Sequence, residues 1–304
     1  MIDLVMTDDV KAALQAGRPV VALESTIVAH GFPRPDNLAV GLALEQAVRD
    51  GGAVPATIAV LDGRPQIGLT PAGLERLANA TDVVKVSTRD LPHLLAMRGN
   101  GATTVAATMV LAARAGIRVF ATGGIGGVHP AQPGHPADVS ADLAELARTP
   151  VAVVCAGAKS ILDLPATLEM LETLGVPVIG YGTDEFPAFH ARESGLRVGQ
   201  RVDDAAVMAA VLRAQDGLDL ACGTLICNPP PVEAAVARDV LDGWVAAALA
   251  DAQAQGVKGA KVTPFLLAAL DRLSGGRSKA VNLALATSNA LVAAKVAAAY
   301  AGGA

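Results

Sequence analysis

The chain has 304 residues, 52% of them hydrophobic but only 3% aromatic, and a formal net charge of -5 at pH 7. That length holds one large α/β domain or two smaller ones, and either buries a substantial core. The acidic balance, without any run of Lys or Arg, argues against a nucleic-acid surface and leaves small molecules as the better class of partner. Ala and Val supply much of the apolar content, and Arg114 and Lys295 interrupt the longest apolar runs, so no membrane span is expected. Met1 to Asp9 carries acids and no basic leader, which makes the cytoplasm the expected location. Three cysteines, Cys155, Cys222 and Cys227, lack metal-ligand spacing and read as reduced, buried small hydrophobes.

In chain order, Asp8 to Ala16 reads as a short amphipathic helix and Val20 to Leu23 as a strand. The strand runs straight into Glu24-Ser25-Thr26. An acid directly after an apolar strand is a candidate general acid, since partial burial raises a carboxyl pKa toward neutrality; a capping or ion-paired Glu is the alternative. Pro35 to Arg49 reads as a helix with Leu38, Leu42 and Val48 inward, closed by Gly51-Gly52. Val54 to Leu61 is a strand, which Asp62-Gly63-Arg64 turns into Gln66 to Leu69 as a hairpin. Thr70-Pro71 opens another helix, and Val83 to Val86 is a strand holding Lys85, with Ser87, Thr88 and Asp90 beyond it. A basic residue beside hydroxyls at a strand end suits a phosphate or carboxylate, or simply pairs with Asp90. Asn100 to Thr104 reads as the polar opening of a helix that continues from Val105 to Ala115, with free amides suited to an anion.

Ile117 to Ala121 is the next strand and leads into Thr122-Gly123-Gly124-Ile125-Gly126-Gly127-Val128-His129. Four glycines let the backbone come close to a ligand, but the spacing and the polar loop that follows are not those of a dinucleotide fingerprint. That loop, His129 to Asp142, contains His129, His135, Asp138, Ser140 and Asp142. It matches no tight structural cage, and its carboxylates and hydroxyls suit a hard cation such as Mg²⁺ or Mn²⁺. Leu143 to Ala147 is a short helix. Val151 to Cys155 then has the unbroken apolar character of a strand buried on both faces, ending at the turn Ala156-Gly157-Ala158. Lys159 follows, with a helix expected from Ser160 through Leu164, Leu168, Leu171 and Leu174. An ammonium at the carboxyl end of a buried strand is partly desolvated and so available as an amine nucleophile; a lysine opening a helix with its head in water is the alternative.

Farther on, Val176 to Tyr181 is a strand, Gly182 to Phe189 a loop that walls a pocket or only packs, Val202 to Ala214 a helix, and Leu220 to Cys227 a strand stiffened at its exit by Asn228-Pro229-Pro230-Pro231. An Ala-rich helix holding Trp244 ends at Gly256, Thr263-Pro264 starts the next, and Ala280 to Tyr300 is a long helix carrying Asn282, Ser288 and Asn289. No repeat or linker interrupts the chain, so residues 1–304 are expected to form a single domain.

Six segments carry a resemblance. They are Ala22 to Gly31 (Ala-Leu-Glu-Ser-Thr-Ile-Val-Ala-His-Gly), Lys85 to Pro92 (Lys-Val-Ser-Thr-Arg-Asp-Leu-Pro), Asn100 to Val105 (Asn-Gly-Ala-Thr-Thr-Val), Phe120 to His129 (Phe-Ala-Thr-Gly-Gly-Ile-Gly-Gly-Val-His), Asp138 to Leu143 (Asp-Val-Ser-Ala-Asp-Leu) and Val154 to Asp163 (Val-Cys-Ala-Gly-Ala-Lys-Ser-Ile-Leu-Asp). With Thr263 to Leu267 and Asn289 they run in order through the chain, which on these residues resembles the pseudouridine-5'-phosphate glycosidase family, also called pseudouridylate synthase or indigoidine-synthase-A-like. The resemblance implies a single α/β/α layered domain around a mixed, mostly parallel central sheet, assembled as a homotrimer. It implies reversible cleavage of the C–C glycosidic bond of pseudouridine 5'-phosphate, giving uracil and ribose 5-phosphate with a divalent cation, commonly Mn²⁺. By the same likeness Lys159 is the covalent nucleophile, Glu24 the proton donor and Asp138 the metal ligand, while Lys85, Val105, Ser140, Ala141, Asp142 and Asn289 line the substrate.

The chemistry suits these residue types. A C-glycoside has no heteroatom leaving group, so the two-carboxylate scheme of ordinary glycosidases does not suffice and an electron sink is needed. A lysine imine on the ring-opened sugar supplies one, with an acid such as Glu24 protonating the departing uracil carbon. Two other readings of the same residues stay open: a class I aldolase-like lyase acting on another sugar phosphate, and a sugar-phosphate-binding module without catalysis.

Overall fold

In the computed structural model the described residues are 2–131, 138–257 and 262–303. Seven parallel strands make the body of the sheet, in the order β3 (Val54–Leu61), β2 (Val20–Leu23), β7 (Val119–Ala121), β8 (Ala152–Cys155), β11 (Thr224–Cys227), β9 (Val178–Tyr181) and β10 (Gln200–Val202). Strands β2, β8 and β11 are buried at every position, so helices must cover both faces, as their unbroken apolar sequences predict.

β3 is longer than its neighbour β2, which it leaves at Thr57. Its second half pairs antiparallel with β4 (Arg64–Ile67) on one side and β6 (Gly101–Thr103) on the other, and β5 (Val84–Val86) adds to β6 in parallel. A short N-terminal strand, β1 (Val5–Met6), completes the eleven by pairing with β4. The β3–β4 turn has Asp62 and Gly63 both at positive φ, the geometry a two-residue hairpin needs. Through these pairings Lys85, on β5, comes to the carboxyl end of β2.

Helices open where a side chain can take up a free amide. Thr70 caps α3 (Pro71–Asn79), Thr104 caps α5 (Val105–Ala115), Asp163 caps α7 (Leu164–Thr173) and Asp204 caps α8 (Ala205–Gly217). The remaining helices are α1 (Asp8–Gln15), α2 (Asp36–Asp50), α4 (Leu91–Ala96), α6 (Ala141–Leu146), α9 (Arg238–Ala254), α10 (Val262–Leu273) and α11 (Arg277–Ala301). α11 is long and apolar enough to cross a membrane, but it packs on β2, β7 and β8 between α2 and α8 as a core helix.

Four local expectations need correction. Leu42 is 48% exposed, because the buried stripe of α2 runs through Val40, Leu44 and Val48 and puts Leu42 on the opposite side. Gly101 to Thr103 is a strand, so the helix begins only after Thr104. Val202 ends an edge strand rather than starting the helix, which begins at Ala205. α7 begins at Leu164, five residues after Lys159, where Asp163 accepts the Ala166 amide at 3.0 Å. Cys155 and Cys227 are buried side by side in register on β8 and β11, and burial pushes the Cys227 thiol well up, so both are inert. Cys222 is only partly buried.

Candidate active site

The site is built at the carboxyl ends of β2, β7 and β8, where open α/β sheets bind ligands. β2 and β7 pair with Leu23 opposite Ala121, so the next residues of each, Glu24 and Thr122, stand side by side. The Thr122 hydroxyl donates to Glu24 Oε1. Glu24 is partly buried, and this burial raises its pKa from the usual carboxylate range. The Lys159 charge is the largest opposing influence, followed by the Thr122 hydrogen bond; Asp142 adds to the rise and Lys85 counters it. Glu24, Asp142, Lys85 and Lys159 therefore lie near enough for their charges to act on one another.

Lys85 arrives by a different route. β5 pairs with β6 so that Lys85 lies opposite Ala102, and the Thr26 hydroxyl, two residues past Glu24, donates to the Thr103 carbonyl at 2.8 Å. Burial depresses the Lys85 pKa first and the Lys159 charge depresses it further, with Glu24 and Asp142 opposing. Much of its side chain still meets solvent, which screens those charges. Asp90, the alternative partner, instead pairs with Arg89 and accepts the Ser87 amide.

Lys159 is held from behind by backbone. The parallel pairing of β7 and β8 continues past the strands: the Ala156 amide donates to the Gly123 carbonyl at 2.9 Å, Ile125 to Gly157 at 3.0 Å and Lys159 to Ile125 at 3.1 Å. The glycines are needed for contact. A Cβ at Gly126 would sit 2.2 Å from Ser140 Oγ, at Gly127 2.4 Å from Thr167 Oγ1, and at Gly124 2.6 Å from the Phe189 ring. Much of the glycine-rich signal thus reflects close packing of protein on protein.

The other expected substrate residues are placed as follows. Asp142 is buried; Oδ1 accepts the Ala106 amide at 2.9 Å and Oδ2 the Gly126 amide at 2.8 Å, so it joins the start of α5 to the glycine loop. Ser140 caps α6, and Ala141 is exposed at its first position. The Val105 side chain is buried, so what it can present is its backbone amide, which takes no hydrogen bond among the described residues. Asn289 is fully buried. Its Nδ2 donates to the Thr122 and Gly123 carbonyls at 2.8 and 3.2 Å, and its Oδ1 accepts from Asn228 at 2.9 Å, so it bears on the pocket by holding Thr122. His129 lies near Thr263, and His135 falls outside the described residues.

Thr122 escaped the sequence reading of the pocket, whereas Asn282 reads there, with Ser288 and Asn289, as a polar residue for interhelical hydrogen bonds or a site rim. Thr122 is the hydroxyl on Glu24, and its signal was available: it follows β7 as Glu24 follows β2. Asn282, on α11, has its Oδ1 3.2 Å from where a Gly123 Cβ would be, and its amide has no partner among the described residues. Nothing in an Ala-rich helix marks which polar residue will meet a loop more than 150 positions earlier.

Asp138 is exposed, with its carbonyl taken by the His129 amide. Among the described residues no three His, Cys, Asp or Glu side chains converge. One free carboxylate beside solvent fits a hydrated hard cation that keeps most of its water, and does not fit a closed protein cage.

The mostly parallel sheet flanked by helices, with Glu24, Thr122 and Lys159 following its strands, makes this an α/β protein. The chain belongs to the indigoidine synthase A-like family, which it matches over residues 9–299. It is 54% identical to a pseudouridine-5'-phosphate glycosidase of Nocardioides sp. across 98% of this chain and 97% of that protein. A second relative of that name, from Myxococcus xanthus, is 50% identical across 99% of each. Among solved structures, the prealnumycin C-glycosynthase AlnA in complex with ribulose 5-phosphate is 41% identical with a TM-score of 0.91, over 98% of this chain and 97% of that one.

Proposed function

We propose that this protein reversibly cleaves the C–C glycosidic bond of pseudouridine 5'-phosphate, with water, to uracil and ribose 5-phosphate. The observation that carries the reading is that Glu24 follows β2 and Lys159 follows β8 at the same end of the sheet, on either side of β7, close enough for the lysine charge to act on the carboxyl. An amine and an acid placed together are the pair a carbon-bound base requires. The names borne by the relatives and the sugar phosphate held by AlnA support the substrate class.

In this mechanism the ribose C1'–O4' bond breaks with its electron pair on O4', the Lys159 nitrogen bonds to C1', and the proton the nitrogen sheds ends on O4'. The bond from C1' to uracil C5 then breaks with its electron pair leaving on uracil, and Glu24 gives that carbon its proton. The Lys159 nitrogen lone pair fills the gap as an imine, which water hydrolyses to free the sugar and the lysine. Lys85 attracts the phosphate, and the unpaired Asn282 amide matches the donor-acceptor edge of uracil. A divalent cation, Mn²⁺ by the family resemblance, would be held by Asp138 and water and would offset negative charge on the substrate oxygens. The same resemblance assigns the working form as a homotrimer.

The test is incubation with pseudouridine 5'-phosphate and Mn²⁺ while free uracil is followed by chromatography. Wild type is expected to release uracil and Lys159→Ala to release none while still binding the substrate. Uracil release by Lys159→Ala at the wild-type rate would reject the imine.

A further inference from the structure

Directly after Lys159, the Ser160 hydroxyl meets Nδ1 of His190 at 2.8 Å. His190 is 97% shielded from solvent, with only 3% of its surface exposed. Burial pulls its pKa down to about 4, so the ring is neutral at physiological pH, and the Ser278 backbone is its other hydrogen-bonding neighbour. The neutral ring and the Ser160 hydroxyl share one hydrogen bond, in which the imidazole tautomer sets which of them donates.

The segment presenting His190 is itself tightly held. Ala188 and Ala191 close a turn with Phe189 at φ 64°, and the Phe189 amide donates to the Ala156 carbonyl at 3.0 Å. Gly157, at φ 79°, lies so close that a Cβ would be 2.1 Å from the Pro187 carbonyl oxygen. The Phe189 ring packs on Gly124 and edge-on to His190, with centroids 4.6 Å apart. The Lys159 loop is thus gripped between the glycine loop and the His190 turn. The only side-chain hydrogen bond that holds the loop within one residue of the amine, among the described residues, is Ser160 to His190.

We infer that Ser160 and His190 are positioning residues for Lys159, fixing the direction in which its side chain leaves the loop toward the Glu24 pocket. Neither touches the reacting atoms. A neutral imidazole suits the task, because it anchors the hydroxyl without adding a second cation beside the amine, and the Ser278 contact ties the anchor to α11, which also holds Thr122 through Asn289. The inference rests on the lysine role proposed above and deepens it.

The experiment is borohydride trapping of ribose 5-phosphate on the full-length protein, with the adduct at Lys159 timed by mass spectrometry and sugar affinity measured separately by calorimetry. Wild type is expected to label. Ser160→Ala and His190→Phe are expected to label roughly tenfold to a hundredfold more slowly, with affinity within about threefold of wild type, since a small displacement of a reacting group costs rate before binding. Ser160→Thr, which keeps the hydroxyl, is expected to label near the wild-type rate, and the double variant no more slowly than the slower single one. Near-ultraviolet circular dichroism checks the fold; if His190→Phe does not fold, the Ser160→Ala and Ser160→Thr pair decides. A wild-type labelling rate in folded Ser160→Ala, or a loss confined to affinity, overturns the positioning role. An unlabelled wild type overturns the lysine imine and this inference with it.

Discussion

At the scale of single residues the site depends on a balance around Glu24. A carboxyl that must donate a proton is useful only while protonated, and burial is what raises its pKa. The Thr122 hydroxyl works against that by stabilising the carboxylate. The sign follows directly. As pH rises through the Glu24 pKa the donor ionises and activity falls; removing Thr122 makes ionisation harder. Thr122→Val is therefore expected to move the alkaline limb of the kcat/KM profile to higher pH, and a limb that stays or moves down would show that this carboxyl does not govern it. Glu24 and Lys159 were legible in the sequence because each follows a short apolar strand, and Lys85 because it interrupts one just before a run of hydroxyls. Thr122 follows one equally, but a threonine is common enough at such a place that only its contact singles it out.

At the scale of elements, the loops after β7 and β8 act as one unit, since their parallel pairing outlasts the strands. Glycine is required where this unit meets the His190 turn. At Gly157 both reasons apply together: a positive φ that side chains avoid and a Cβ 2.1 Å from the backbone oxygen of Pro187. Gly157→Ala is expected to cost about 3 kcal/mol, measured by urea unfolding. A change below a few tenths would mean that the two loops slide freely past each other. Periodicity located most helices within a few residues, but it overextended α7, because the apolar spacing does not show that Asp163 caps it and so ends the loop of Lys159. It also turned the β6 segment into a helix start: three small residues give no alternation to read, and their pairing with β3 and β5 is nonlocal.

At the scale of the whole molecule, α11 ties the C-terminal end of the chain to the pocket. Asn289 reaches the Thr122 and Gly123 carbonyls from 167 and 166 residues away. Its amide is buried, so truncation leaves the Thr122 carbonyl without a donor in a place water does not reach, while the Gly123 carbonyl keeps the Ala156 amide. Asn289→Ala is expected to lose about 3 kcal/mol of stability by chemical denaturation and to lower activity through the displaced Thr122. Full stability in that variant would show that other bonds hold the loop. The double pairing of β3 is the other long-range device: its first half pairs with β2 and its second with β6, and β5 on β6 brings Lys85 to the site.

The sequence by itself determined the α/β class, most of the strands, the family, and the acid and amine at strand ends, because buried parallel strands and the junctions that follow them are written in consecutive residues. Only the tertiary structure decided that Asp142 and Asn289 spend their polar atoms on backbone, that the glycines serve close packing, and that His190 stands behind Lys159. Those facts depend on which distant groups satisfy one another once water is excluded, and hydrogen-bond partners chosen across 30 to 167 residues leave no periodic trace in the chain.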